Sequence, residues 1–274
     1  MTLQLESVHD DRVLPATRAV AFVIVPFLLV AFAVLYPVPG DTKHLFAWQI
    51  RPTMTAMMLG SAYLGGAYFF VRAGQARRWH TVKGGFLPVA LFATLMGIAT
   101  IAHWDKFNHR HVAFWLWVLL YFTTPFLIAA VYAANQRHDA ARDPDEKQLP
   151  GPATRLIALT GAAALATGAF LFVAPQTAIR IWPWLLTPLT ARVLGAIFCL
   201  GAAGVGVLRD RRWSTARIPV QVAGIMLTLI VVAGIRAHGE LRTDKVLTWL
   251  LPAGFLIALA GLARLYLTME RRDG

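Results

Sequence analysis

The chain has 274 residues, 57% of them apolar and only 15% charged, with a formal charge of +12. Its mean hydropathy is +0.57, and it holds apolar runs of about 20 residues, the length that crosses a bilayer core as a helix. This excludes an ordinary soluble domain, where about a quarter of residues are charged. The positive charge reads as basic loops on one side of a membrane, and no nucleic-acid partner is expected.

Residues 1–15 are polar and hold Glu6, Asp10 and Asp11. With acids before the first apolar run and no small-residue cleavage site after it, they read as a cytoplasmic segment and not a cleaved signal. Eight apolar runs follow, at roughly 16–36, 53–72, 84–103, 112–134, 154–174, 188–208, 218–236 and 246–267, each bounded by Pro, Gly or charge. Lipid offers backbone N–H and C=O groups no partner, so these runs must be helices. The expected fold class is all-α, a polytopic membrane bundle of eight transmembrane helices. Of the 26 Lys and Arg residues, 17 fall on the side of the N-terminal segment, the loops after the second, fourth and sixth spans, and the tail, with Arg18, Arg72, Arg155 and Arg264 at the adjoining span ends. That excess predicts cytoplasmic termini and a place in the inner (plasma) membrane. Residues 137–153, within NQRHDAARDPDEKQLPGP, read as a flexible linker between residues 16–136 and 154–267, and residues 268–274 as a cytoplasmic tail.

The two halves echo each other. WQIRPTMTAMMLG from Trp48 is answered by WLLTPLTARVLG from Trp184, RRWHTVK from Arg77 by RRWSTAR from Arg211, and AHWD from Ala102 by AHGE from Ala237. The offset stays at 134 to 136 positions in all three. Four helices return the chain to its starting side, so the expectation is a 4+4 parallel repeat with a pseudo-twofold axis along the membrane normal. His103 and His238 become mates, as do Asp105 and Glu240. Arg51, Arg192 and Arg236 have Thr187, Met57 and Ile101 as counterparts, and polar departures of this kind point to one working site.

The polar residues that suggest chemistry gather on the face away from the termini. IAHWDKFNHRH, from Ile101, puts three histidines and an aspartate in one loop. Asp105 and Glu240 are the acid–base candidates, with His103 and His238 beside them, since a carboxylate orients a neighbouring imidazole. The blander reading is polar residues facing interfacial water. Arg192, about one turn inside its span, reads as an anion clamp or as a snorkelling side chain; Arg51 is its companion. Arg236 and Glu240 are four apart and able to pair, as are Asp105 and His109. Trp48, Trp117, Tyr121 and Trp249 read as pocket walls or as part of an aromatic belt, and Trp79 and Trp213 as interface anchors. Glycines give the second, fifth and sixth spans small faces for close helix approach. Cys199 is the only cysteine, which leaves no disulfide, thiolate-held iron–sulfur cluster or CxxCH haem attachment. No metal site or cofactor is predicted, and ligation of haem or a divalent metal by His103 and His238 is the alternative.

The FAWQIRP run from Phe46, HWDKF from His103 and WPWLLTPLTARVLG from Trp182 resemble patterns in a family of eight-span membrane proteins of high-GC bacteria with no assigned activity. In general kind the chain is also similar to membrane-embedded terpene cyclases, without a matching catalytic motif. Together these readings give an expectation of a membrane-embedded enzyme. It would act on a lipidic or isoprenoid-like substrate by acid–base chemistry near the outer interface, with the bilayer and a lipidic small molecule as partners and the oligomeric state open. The alternatives are a transporter of an apolar or lipid-like compound and a bis-histidine haem or metal protein.

Overall fold

The structure, a computed structural model, describes residues 10–139 and 146–271. Eight helices are long and apolar enough to cross a membrane: α1 (Pro15–Leu35), α2 (Thr53–Gln75), α3 (Lys83–Ala102), α4 (Val112–Gln136), α5 (Gly151–Val173), α6 (Pro188–Gly206), α7 (Trp213–Arg236) and α8 (Leu247–Glu270). The chain is a multi-pass, all-helical membrane protein. Short helices at Thr42–Leu45 and Pro175–Ile181 lie on the loops before α2 and α6. Helices pair their interior backbone groups within themselves, as a bilayer requires.

Burial ranks the helices. In α2, 78% of the apolar window is buried, against 50% in α3 and α6 and none in α8. The hydropathy of α2 is also the lowest of the eight, at 1.3. Its Gly, Ala, Ser and Met surface faces protein and not lipid, so it needs less hydrophobicity. It packs on α1 and α7, while α6 packs on α5 and α3.

Small residues set the α5–α6 distance. A Cβ at Gly168 would lie 2.6 Å from the Gly195 carbonyl oxygen, and one at Gly161 2.6 Å from that of Gly201. The backbones touch, the arrangement that small faces permit in membranes.

The stretches of matching sequence make similar contacts. On the face that carries the termini, Trp79 donates its N–H to Asp11 O (2.9 Å) and Trp213 to Lys147 O (2.8 Å). Val13 N reaches Arg77 O at 3.3 Å, and Leu149 N reaches Arg211 O at 2.8 Å. Both RRW stretches thus pair with the segment that opens their half, as the isolated bridges Arg12–Arg78 and Gln148–Arg212 record. Trp79 and Trp213 are buried, and their indoles donate to Gln136 and Glu270. They are tertiary ties and not the interface anchors their basic neighbours suggest. On the opposite face Asn108 N donates to Ala47 O (2.8 Å) and Arg242 N to Pro183 O (2.6 Å).

Gly168→Val forces α5 from α6, and we expect a loss of about 1–3 kcal/mol of stability, the usual cost of overpacking. It should appear as a lower melting temperature in detergent. Gly254→Ala, with no atom within 4 Å of the added carbon, should leave that temperature unchanged.

Candidate functional site

On the face opposite the termini, the start of α2 meets the end of α7. Pro52 is the N-cap of α2 and offers no side-chain acceptor. Glu240, on the 3-10 turn His238–Glu240 after α7, fills that role. Its Oε1 accepts from Thr53 N and Thr53 Oγ1, both at 2.9 Å, and its Oε2 from Met54 N at 2.9 Å. A carboxylate at a helix N-terminus satisfies orphan N–H groups and complements the helix dipole. The start of α6 differs. Thr187 caps it in a reciprocal box with Thr190, so that helix needs no outside acceptor.

Asp105, the sequence counterpart of Glu240, has another fate. Its carboxylate is 69% exposed and pairs with neighbouring Lys106 at 2.6 Å, which holds it below the usual carboxylate range. The pairs expected at four-residue spacing do not form. Arg236 donates to Tyr36 O (2.8 Å) and Pro37 O (3.2 Å) and lies over the Tyr36 ring. His109 Nε2 bonds Trp104 O at 2.9 Å, and His111 accepts from Ala113 N as the N-cap of α4.

His103 and Arg192 are brought together. His103 ends α3, and Arg192 lies on the first turns of α6. Arg192 Nη1 stands 2.5 Å from His103 Nε2. A guanidinium can only donate, so Nε2 accepts and the imidazole is neutral, its proton on Nδ1. Burial, then the Arg192 charge, push its pKa below the ordinary imidazole value. Both side chains are half-buried, and no carboxylate among the described residues pairs with Arg192. His238, by contrast, is exposed, with Nδ1 on Ile235 O at 3.1 Å.

Three of the expected pocket walls are packed together. Trp48 and Trp117 stand edge to face at 4.7 Å, and Trp117 lies 4.4 Å from Tyr121, with Phe46 and Phe107 around them. Trp117 Nε1 donates to Thr100 (2.8 Å), and Tyr121 shares a 2.7 Å hydrogen bond with Tyr63. Trp48 Nε1 is buried without an acceptor. Trp249 is 67% exposed on the outermost helix, and Arg51 is exposed as well. Among the described residues no group of three His, Cys, Asp or Glu side chains could hold a metal ion.

No known protein family matches this chain, and neither does any curated protein or solved structure. Its own geometry is therefore the guide to function.

That geometry includes a polar cluster on the terminal face that the sequence reading passed over. His80 is buried, with Nδ1 on Asp11 and Nε2 3.3 Å from Glu146. Glu146 also accepts from Ser214. Lys83 bridges Asp139 (2.7 Å) and Asp210 (3.1 Å), and buried Arg212 forks onto Asp210. Burial alone would raise the Asp210 carboxyl, but its bonds from Arg212 and Lys83 outweigh that and hold it far below the carboxylate range. The signal was present in the paired RRW motifs, but the acids that complete the cluster are scattered along the chain.

Glu240→Ala removes a charged acceptor from two N–H groups and a hydroxyl. We expect a loss of about 1.5–3 kcal/mol, the worth of charged hydrogen bonds. Asp105→Ala should leave stability close to that of wild type, as exposed substitutions do. Thermal unfolding in detergent ranks the two, and equal effects would refute the asymmetry between the halves.

Proposed function

We propose that this protein holds the anionic group of a lipid-like molecule on the face opposite its termini, with Arg192 as the anion's partner and His103 as the proton-exchanging group beside it. The carrying observation is the guanidinium of Arg192, half-buried, bonded to a neutral imidazole and without a carboxylate partner among the described residues. A buried cation is costly unless its charge is met. An oxyanion meets it in bidentate geometry and displaces His103 Nε2, whose lone pair then faces the ligand as a base. Asp105 and Glu240, already engaged elsewhere, support this chemistry less well than His103 does.

The same proposal places the chain in the inner membrane with cytoplasmic termini, because the basic loops cluster on the terminal face, and so puts the Arg192 site outside. It also treats residues 16–136 and 154–267 as duplicated four-helix units. Their matched contacts at a constant offset support this. On this reading one unit supplies His103, the other Arg192, and the anion binds across the seam between them.

Anionic amphiphiles such as farnesyl phosphate should raise the melting temperature in detergent more than farnesol does. Arg192→Gln should weaken that binding about 10- to 100-fold, the worth of a charge-assisted hydrogen bond of about 1.5–3 kcal/mol, while Arg180→Gln should not. Since His103 titrates below its ordinary value, its contact with Arg192 stabilises the fold fully above the ordinary imidazole pKa. That contribution is lost as pH falls through the lowered pKa. A bound anion favours imidazolium, so affinity should rise as pH falls toward the lowered value and level off below it, and His103→Gln should abolish the rise. Equal stabilisation by farnesol, or no effect of Arg192→Gln, would contradict the reading.

A further inference from the structure

We propose that the cavity of about 410 Å³ on the terminal face, between the end of α2 and the start of α7, is a second anion site that takes a phosphate group, on a phospholipid headgroup or as free phosphate. Arg72 and Gln75 on the last turn of α2, Thr81 on the following 3-10 turn, and Ser214, Arg217 and Ile218 on α7 line it.

The lining has donors without acceptors. Arg72 makes no hydrogen bond or ion pair with any described residue, and its guanidinium lies 6.0 Å over the ring of Tyr68 on its own helix. Arg217 gives Nη2 to Glu270 at 2.6 Å, but its Nε is buried with no acceptor. Behind the wall, Arg18 donates Nη2 to Ala76 O at 2.9 Å, and its Nε is likewise buried and unpartnered. Of the four buried side-chain atoms without a partner among the described residues, two therefore flank this cavity. Each such donor costs about 1–3 kcal/mol until something accepts from it.

Thr81 donates to Arg78 O and Ser214 to Glu146, and neither hydroxyl accepts from Arg72 or from Arg217 Nε. Of the nearby acids, Glu270 neutralises one of the two lining arginines and Glu146 faces Ser214. Arg72 is left as the uncompensated charge. An oxyanion with several lone pairs supplies what is missing, and Arg forks fit phosphate in bidentate geometry.

Position and size suit a headgroup. The cavity is larger than a bare phosphate needs and lies within the usual range of about 300–1,000 Å³ for ligand pockets. Toward the membrane it is continued by a polar ladder, Tyr68 to Gln221 (2.7 Å) and Gln221 to Tyr266 (3.0 Å). Tyrosines at this level are typical of the membrane–water interface.

The test uses the full chain in detergent, as wild type and with Arg192→Gln, so that the opposite face does not contribute. Native mass spectrometry would follow dioleoyl phosphatidylglycerol and dioleoyl phosphatidylcholine in titration, with and without millimolar inorganic phosphate. Binding of phosphatidylglycerol that persists in Arg192→Gln and falls at least tenfold in Arg72→Gln is expected. Arg72→Lys keeps the charge without the fork and should fall between them, and Arg77→Gln, an exposed charge on the same face, should not change it. Competition by phosphate identifies a free-anion site, and its absence a headgroup site. Binding unchanged by both Arg72 variants, or weakened as much by Arg77→Gln, would overturn the proposal.

Discussion

The first amide groups of α2 have no side-chain acceptor in their own half, and the far half provides one. α2 is the most buried helix of the bundle, and from Met54 onward its first turn is packed against protein. Unmet backbone groups in that setting cost several kcal/mol. Glu240 removes the problem by placing a carboxylate on Thr53 and Met54. Trp184 adds a second tie within the first turn, donating its indole N–H to Thr55 at 2.9 Å. The central helix is complete only when residues far along the chain have folded around it.

That dependence explains how the seam between the halves is built. It is polar at both ends and apolar between. On one face lie Glu240, the Arg192–His103 pair and Arg236 on the Tyr36 and Pro37 carbonyls. On the other lie Lys83 with Asp210 and His80 with Glu146. The middle is held by close packing, as where Gly65 of α2 would meet Met226 of α7 at 2.7 Å if it carried a Cβ. Tyr36 adds a hydrogen bond to Leu229 O at 2.7 Å. The proposed anion sites both sit on this seam, one at each end, where two halves contribute charges that neither neutralises alone.

The eight helices were legible because lipid imposes one length and one hydrophobic signal on each. The clearest shift is in α7, which begins at Trp213 and not near residue 218. Its first turn is polar and basic, so hydropathy reads it as loop, yet Trp213 is buried and the turn is tied to Glu270 and Glu146. The glycine faces of α5 and α6 were legible for the same reason, since a small residue in lipid has few other uses. Pairing was not legible. Glu240 looked like an acid–base group because sequence shows residue type and spacing, and Arg236 stands one helical turn before it. Its partners lie 186 and 187 positions away. Of the four expected pocket walls, Trp48, Trp117 and Tyr121 lie together and Trp249 does not, and no pattern distinguishes rings that line a pocket from rings that fill one. The ion cluster around His80 and Arg212 was hidden because its acids, Asp11, Asp139, Glu146 and Asp210, are spread along the chain.

The account rests on Glu240 standing in for a cap that α2 lacks, and this can be tested by giving the cap back. Pro52→Thr with Thr53→Pro reproduces the Thr-Pro start of α6, with a hydroxyl acceptor at the N-cap and proline at the first helical position. The measurement is the unfolding free energy of Glu240→Ala with and without that swap. If Glu240 stands in for the cap, the swap should recover about 1 kcal/mol of the loss, the typical worth of a cap. A loss that stays the same with the swap in place would show that Glu240 acts in some other way.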